Sequence, residues 1–252
     1  MRQPLQDEAI LVTGASGGIG AALVKQLAAD GARPVIHYGR DAQAARALLD
    51  EIGGRGWLVQ ADLSRDDGAR TLWTQALAQT GRIHALVNNA GIRTEVALDV
   101  PDEEWRAAWQ KELQVNLLSA AELCRMAVLH FREHGGGRIV NMASRAGQRG
   151  YSGTSLAYGA TKAALVNLSK SIARSFGADG ITAIAVAPGW VHTDMARDFV
   201  ARHGAAAALA DIPIGAMVEP EELAELIAFA LRPSQRSLNG ATLDVNGGSY
   251  IR

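Results

Sequence analysis

The 252-residue sequence contains one cysteine, Cys124, so no disulfide can form within the chain. This fits a reducing compartment, and the lack of a Cys/His ligand cluster argues against a structural zinc. Cys124 lies in the apolar helical pattern AAELCRMAVLHF and reads as a small buried hydrophobe rather than a nucleophile. No apolar run approaches the ~20 residues of a membrane span. The opening MRQPLQDEAILVTG enters an apparent strand without a signal-peptide cleavage pattern. The net charge of −1 creates no overall field for nucleic acid or anionic lipid. Internal repeats and low-complexity linkers are also missing. The expectation is one cytoplasmic domain spanning residues 1–252, with no metal, nucleic-acid or membrane partner.

What is present is alternation. With 48% hydrophobic and 20% charged residues, the chain can bury a sizeable core. Short β-branched runs at 9–13, 34–38, 57–61, 85–89, 138–144, 181–187 and 242–246 predict seven strands. Ala/Leu-rich stretches at 18–30, 41–52, 66–80, 101–131, 155–173 and 219–231 predict helices between them. Strands alternating with helices imply right-handed βαβ units, hence an α/β doubly wound parallel sheet, Rossmann-like, covered on both faces. Residues 201–210 (ARHGAAAALA) are helical by propensity but have few large apolar anchors. They read as a helix or as part of a mobile substrate lid over about 190–217.

TGASGGIG (13–20) joins the first strand to the first helix. Gly14, Gly18 and Gly20 allow a tight turn and close ligand approach, Ser16 adds a hydroxyl, and the helix N-terminus attracts a pyrophosphate. The first βα unit is where doubly wound sheets bind dinucleotides. An NAD site usually carries an acid at the end of the second strand, yet VIHYGRD has Gly39 there, followed by Arg40. Arg40 matches a 2′-phosphate, so the expected cofactor is NADP(H) rather than NAD(H). The alternative is a solvated Arg40 with Asp41 capping the next helix. Asp62, in ADL after the third strand, is placed to accept from an adenine amino group or to cap the following helix.

SLAYGATKAALVNLSKSIA (155–173) puts Tyr158 and Lys162 four residues apart, on one helical face. Together with TGASGGIG, NNAG (88–91), Asn116 in VNLL, Ser144 at a strand end and PGWVHT (188–193), this set resembles the short-chain dehydrogenase/reductase family. The resemblance runs from Ile10 to Gly248. It implies a catalytic tetrad of Asn116, Ser144, Tyr158 and Lys162. Tyr158 would exchange a proton with the substrate oxygen, and Ser144 would hydrogen-bond that oxygen. Lys162 and the positive nicotinamide would lower the phenol's pKa from its usual ~10. Lys162 would also hold the nicotinamide ribose, and Asn116 would hold a water linking it to solvent. The implied cofactor contacts extend to Ile19, Leu63, Asn89, Ala90, Gly91, Pro188, Gly189, Val191 and Thr193. Asn88 and Asn89 are expected to tie neighbouring strands together, and Trp190 to wall the substrate pocket.

Within the family the chain is most similar to the 3-oxoacyl-[acyl-carrier-protein] reductase branch, through the Tyr–Lys helix and NGATLDVNGGSYIR. That similarity implies reduction of a 3-oxoacyl thioester and a homotetramer. Two other readings stay open: an alcohol, polyol or sugar dehydrogenase of the same family, and a non-catalytic dinucleotide-binding regulator. Docking of an acyl-carrier protein is put in doubt by Gly135 and Asp179, which stand where the branch presents arginines. Arg132, Arg138 and Arg174 lie close enough to compensate. The segment RAGQRGYSGTSLA is about one residue longer than usual and adds Arg145, Arg149 and Tyr151 near the pocket mouth. These belong either to a polar or anionic substrate site or to a solvated loop. PDEEWRAAWQKELQVN is about one helical turn longer than usual.

Overall fold

The runs AILV, RPVIHY, WLVQ, ALVN, GRIVNM, ITAIAVAP and TLDV become strands β1 (Ala9–Val12), β2 (Arg33–Tyr38), β3 (Trp57–Gln60), β4 (Ala85–Asn88), β5 (Gly137–Met142), β6 (Ile181–Pro188) and β7 (Thr242–Val245). The computed structural model describes residues 4–252. The strands form one parallel sheet of seven, ordered β3-β2-β1-β4-β5-β6-β7. Strand order reverses at β1, where Val12 pairs with Ile36 on one side and Val87 on the other. Ligands of doubly wound sheets bind in the crevice opened by that reversal.

Helices cover both faces. On one, α1 (Gly18–Ala29) packs against α10 (Pro220–Ala230), and Leu23, Leu27, Leu223 and Ile227 meet Ile10, Val12 and Ile36. On the other, α3 (Gly68–Thr80), α5 (Ser119–Glu133) and α7 (Leu156–Phe176) bring Leu72, Trp73, Leu123, Phe131 and Ile172 onto Leu11, Val35 and Ile139. Alternate residues of β1 thus feed opposite cores, as period-two side-chain geometry requires. Local signals set the ends. Asp41 accepts from Ala44 N at 2.8 Å and caps α2 (Ala42–Glu51), while Glu219 and Glu222 form a capping box on α10.

Two predicted helices are not continuous. The stretch 101–131 divides into α4 (Asp102–Glu112), a π-helical segment Leu113–Leu118, and α5. The wider i→i+5 turn shifts the face presented before and after it, which a 3.6-residue period cannot reveal. The Ala-rich stretch forms α8 (Asp194–His203) and α9 (Ala205–Leu209), broken at Gly204 with φ 83°. These two helices have a small core of their own. Ala196, Ala208 and Met217 are buried there beneath Trp190, Phe199, Val200 and Leu209.

Candidate active site

The carboxyl ends of β1, β4, β5 and β6 open into a cavity of about 710 Å³. Of the residues expected at the site, all but Gly20 and Asn116 line it. Gly20 lies behind the wall. A Cβ at that position would meet the Gly14 carbonyl oxygen and come within 2.8 Å of Ala15 Cα, so the turn closes only on glycine. Gly14 and Gly18 take φ of 60° and 52°, and α1 starts with no side-chain cap and no acid in its first turn. Its N–H groups and positive dipole end therefore face the cavity free of internal competition, which suits a pyrophosphate.

Buried side chains fix this floor. His37 Nδ1 accepts from Gly14 N at 2.9 Å, and its Nε2 meets Ala61 O at 3.1 Å. Burial pushes the imidazole down to about 4, so it is neutral and its proton sits on Nε2, donated to Ala61. Asn89 Nδ2 donates to Thr13 O at 2.9 Å and to Gly14 O at 3.0 Å. Asn88 Nδ2 donates to Asn141 Oδ1 at 2.8 Å, joining β4 to β5. Both asparagines do the tying expected of them. Cys124 is buried beside Asn88, and burial pushes its thiol up to about 12.

At the far end of the floor, Arg40 is exposed and, among the described residues, has no carboxylate in ion-pair contact. A Cβ on Gly39 would meet only Ala61 O, at 3.9 Å, so packing does not exclude an acid there. Asp62 does not cap a helix. Its Oδ1 accepts from Ser64 N at 2.9 Å and Ser64 Oγ at 2.6 Å, and these bonds hold its carboxyl below the usual range. Asp67 stands at the start of α3 instead.

The opposite wall carries the implied tetrad. Lys162 is buried, and Nζ donates to Met142 O at 2.7 Å and lies 5.7 Å from the Tyr158 ring centroid. Desolvation pushes the ammonium down to about 8, partly offset by the Glu112 carboxylate. Ser144 Oγ accepts from Ala146 N at 3.1 Å and hydrogen-bonds the Tyr158 hydroxyl. In the protein alone the Tyr158 phenol is pushed up, to about 12, chiefly by desolvation, with the Ser144 bond only partly opposing it. The Lys162 ammonium is engaged with Met142 O. Asn116 Oδ1 accepts from Ile92 N at 2.8 Å and its Nδ2 donates to Ile92 O at 2.9 Å, so the side chain clamps the loop after β4.

Of the two readings of the mouth, the solvated loop does not describe Arg145. Arg145 is buried and starts the short helix α6 (Ala146–Arg149). Its Nη1 donates to Asp211 Oδ1 at 3.1 Å, and Arg149 Nη2 pairs with Asp211 Oδ2 at 2.6 Å. Tyr151 lies 5.9 Å, ring to ring, from Tyr158, and Trp190 stacks on Phe199 at 4.4 Å. Sequence reasoning missed Arg93 and Glu112, both beside this site. Glu112 is buried at the end of α4, accepts from Thr94 N, and leaves Oε2 without a partner. Burial raises its carboxyl above the usual range. Its only sequence signal was an acid four residues before Asn116 in an otherwise helical pattern. The compensating arginines also fail in part: Arg132 pairs with Asp179 at 3.1 Å and Arg138 with Glu8, leaving Arg174 exposed.

A reversed parallel sheet, a glycine turn at its crevice, and a hydroxyl, phenol and ammonium on the facing wall define a dinucleotide-binding oxidoreductase. The family model described as enoyl-(acyl carrier protein) reductase matches residues 14–250. A 3-oxoacyl-[acyl-carrier-protein] reductase of Escherichia coli (strain K12) is 35% identical, with 96% of each chain covered. The enzyme so named from Synechocystis sp. is 37% identical, and a cis-4-hydroxycyclohexanecarboxylate dehydrogenase of Sinomonas cyclohexanicum is 38% identical, with 98% of each chain covered in both cases. The chain belongs to the short-chain dehydrogenase/reductase family, in the branch of the 3-oxoacyl reductases, and is an oxidoreductase acting between CH–OH and C=O. Among the described residues no helix is long and apolar enough to cross a membrane, and no group of side chains is arranged to hold a metal.

Proposed function

We propose that the protein is an NADP(H)-dependent reductase that converts a carbonyl to a secondary alcohol, with a 3-oxoacyl thioester as substrate. The observation that carries this reading is the convergence of Ser144, Tyr158 and Lys162 on a wall facing the glycine turn. When bound, a nicotinamide nucleotide supplies the hydride. The glycine turn and α1 would hold its pyrophosphate, Asp62 its adenine, Arg40 its 2′-phosphate, Lys162 its ribose and Thr193 its carboxamide. Thr193 already lies against the turn, since a Cβ on Gly18 would come within 3.1 Å of its Cγ2.

Tyr158 donates its proton to the carbonyl oxygen. The buried phenol is protonated at neutral pH and so carries the proton to be given, while Ser144 stabilises the oxygen as charge develops. Asn116 contributes by holding Ile92, and with it the Gly91 backbone beside Lys162. A Cβ on Gly91 would meet Nζ at 3.2 Å. Residues 190–217 act as the substrate lid, joined to the body by Asp211. Leu118 and Leu129, 53% and 49% exposed along the Asn116 helix, support burial of that face in a homotetramer.

The test is nucleotide oxidation with a short 3-oxoacyl-coenzyme A, run with NADPH and NADH in parallel. Turnover that prefers NADPH supports the reading, and preference for NADH refutes the Arg40 assignment. A second reading, an alcohol dehydrogenase acting on a small molecule, is favoured by the paired state of Arg132 and Arg138. That pairing leaves little free positive charge to receive an acidic carrier.

A further inference from the structure

Arg93 follows NNAG on the cavity wall, and its side chain is only 4% exposed. Nη1 donates to Tyr151 Oη at 2.9 Å, Nη2 pairs with Glu95 Oε1 at 3.3 Å, and Nε is buried with no acceptor. The guanidinium carbon lies 5.2 Å from the Trp190 ring centroid and 5.3 Å from that of Phe199. Arg145, also 4% exposed, lines the same cavity and an adjoining one of about 510 Å³. Tyr151 connects the two arginines: its hydroxyl bonds Arg93, and it lies in the field of Arg145.

The surrounding charges do not cancel. Arg93, Arg145, Arg149, Arg202 and Lys162 are answered by Glu95, Asp211 and Glu112, and Glu95 is shared among Arg93, Arg202 and His203. Five cations against three acids leave an excess of two positive charges around the mouth; Arg93 and Arg145 each have one carboxylate, but both of those acids are shared with the more exposed Arg202 and Arg149. Buried cations are costly without matching anions, and a guanidinium fork fits a carboxylate.

We propose that the substrate carries a carboxylate in the same small molecule as its reacting carbonyl, and that this carboxylate docks between Arg93 and Arg145 beside Tyr151. The inference rests on the second of the two readings above, hydride transfer at Tyr158 to a small molecule rather than a thioester, and names its substrate class: keto acids, reduced to hydroxy acids. The carbonyl carbon gains the hydride, its oxygen gains the Tyr158 proton, and the carboxylate is unchanged. Trp190, Tyr151 and Phe199 form the apolar wall between the two ends of the molecule.

Calorimetry tests this without turnover. 4-Oxocyclohexanecarboxylate and its methyl ester are titrated into the full chain saturated with oxidised nucleotide, where reduction cannot proceed. The acid is expected to bind roughly tenfold or more tightly than the ester. Arg93→Gln is expected to weaken the acid roughly ten- to a hundredfold and change the ester less than about threefold. Equal binding of acid and ester by the wild type overturns the proposal, as does equal loss of both in the variant. Arg145→Gln, expected to lose the same preference, decides the matter if Arg93→Gln does not fold. Reduction of the neutral ester with NADPH or NADH reads hydride transfer separately. If no ketone is reduced while the acid still binds preferentially, the reductase reading falls and the anion site stands.

Discussion

The two ends of the cavity are made of different materials. Around the glycine turn the cofactor floor is glycine, backbone and neutral side chains, held by His37, Asn89 and Thr13 through bonds of 2.9–3.1 Å, with charge only at its far end in Arg40 and Asp62. The substrate mouth is charged and aromatic, assembled from Arg93, Arg145, Tyr151, Trp190 and the clasp at Asp211. A floor for a constant ligand can use close backbone approach. A mouth that selects among substrates works through long side chains whose charges must be balanced by partners or by ligand.

The sharpest break between the two ends is expected at Tyr158. Tyr158→Phe should lower kcat by about a thousandfold by removing the acid, while nucleotide affinity stays within a few-fold. Stopped-flow reduction with parallel nucleotide titration measures this, and a Phe variant with substantial activity contradicts the role. Next, Arg40→Ala should raise the KM for NADPH roughly ten- to a hundredfold and leave that for NADH unchanged. An equal rise for both nucleotides would assign Arg40 to general electrostatics.

The floor should also show in stability. His37 has a folded pKa of about 4, below its ordinary 6.5. The unfolded chain therefore takes up a proton that the folded chain refuses. This contribution is complete above pH 6.5 and is lost as pH falls toward 4. Wild type should lose about 2 kcal/mol more than His37→Gln between pH 7 and pH 5 in urea unfolding. Parallel curves for the two proteins would show that the imidazole is not the cause. The smallest effect is expected at the mouth. Asp211 is 40% exposed, so Asp211→Asn should cost little stability and raise the substrate KM only about threefold by loosening the clasp. An unchanged KM would detach Asp211 from substrate binding.

Legibility divides along the same line. The floor could be read because its requirements are local: glycines at 14, 18 and 20, strand ends, and one helical turn from Tyr158 to Lys162. Arg93, Glu95 and Asp211 could not, and Arg145 could be put at the mouth only without its partner, because these pairings lie far along the chain, 66 residues apart for Arg145 and Asp211 and 107 for Glu95 and Arg202. No sequence period reports such pairings. The π-helical turn hid in the same way. Its residues LQVNLL continue an ordinary helical pattern, and its effect appears only where Asn116 reaches Ile92. The phenol's rise and the ammonium's fall both follow from burial, which residue type alone does not predict.

The space around Gly39 has a consequence for how such a protein changes over time. A Cβ there would meet one carbonyl oxygen at 3.9 Å and nothing closer, so packing at that atom does not require glycine. An acid, aspartate or glutamate, is a single base change from any glycine codon, and it would stand at the end of β2, where an acid holds the adenosine ribose hydroxyls in NAD-binding sheets of this architecture. If Arg40 selects the 2′-phosphate as proposed, the choice of nucleotide is thereby uncoupled from the integrity of the sheet, and one residue can alter it while the Tyr158 wall stays as it is.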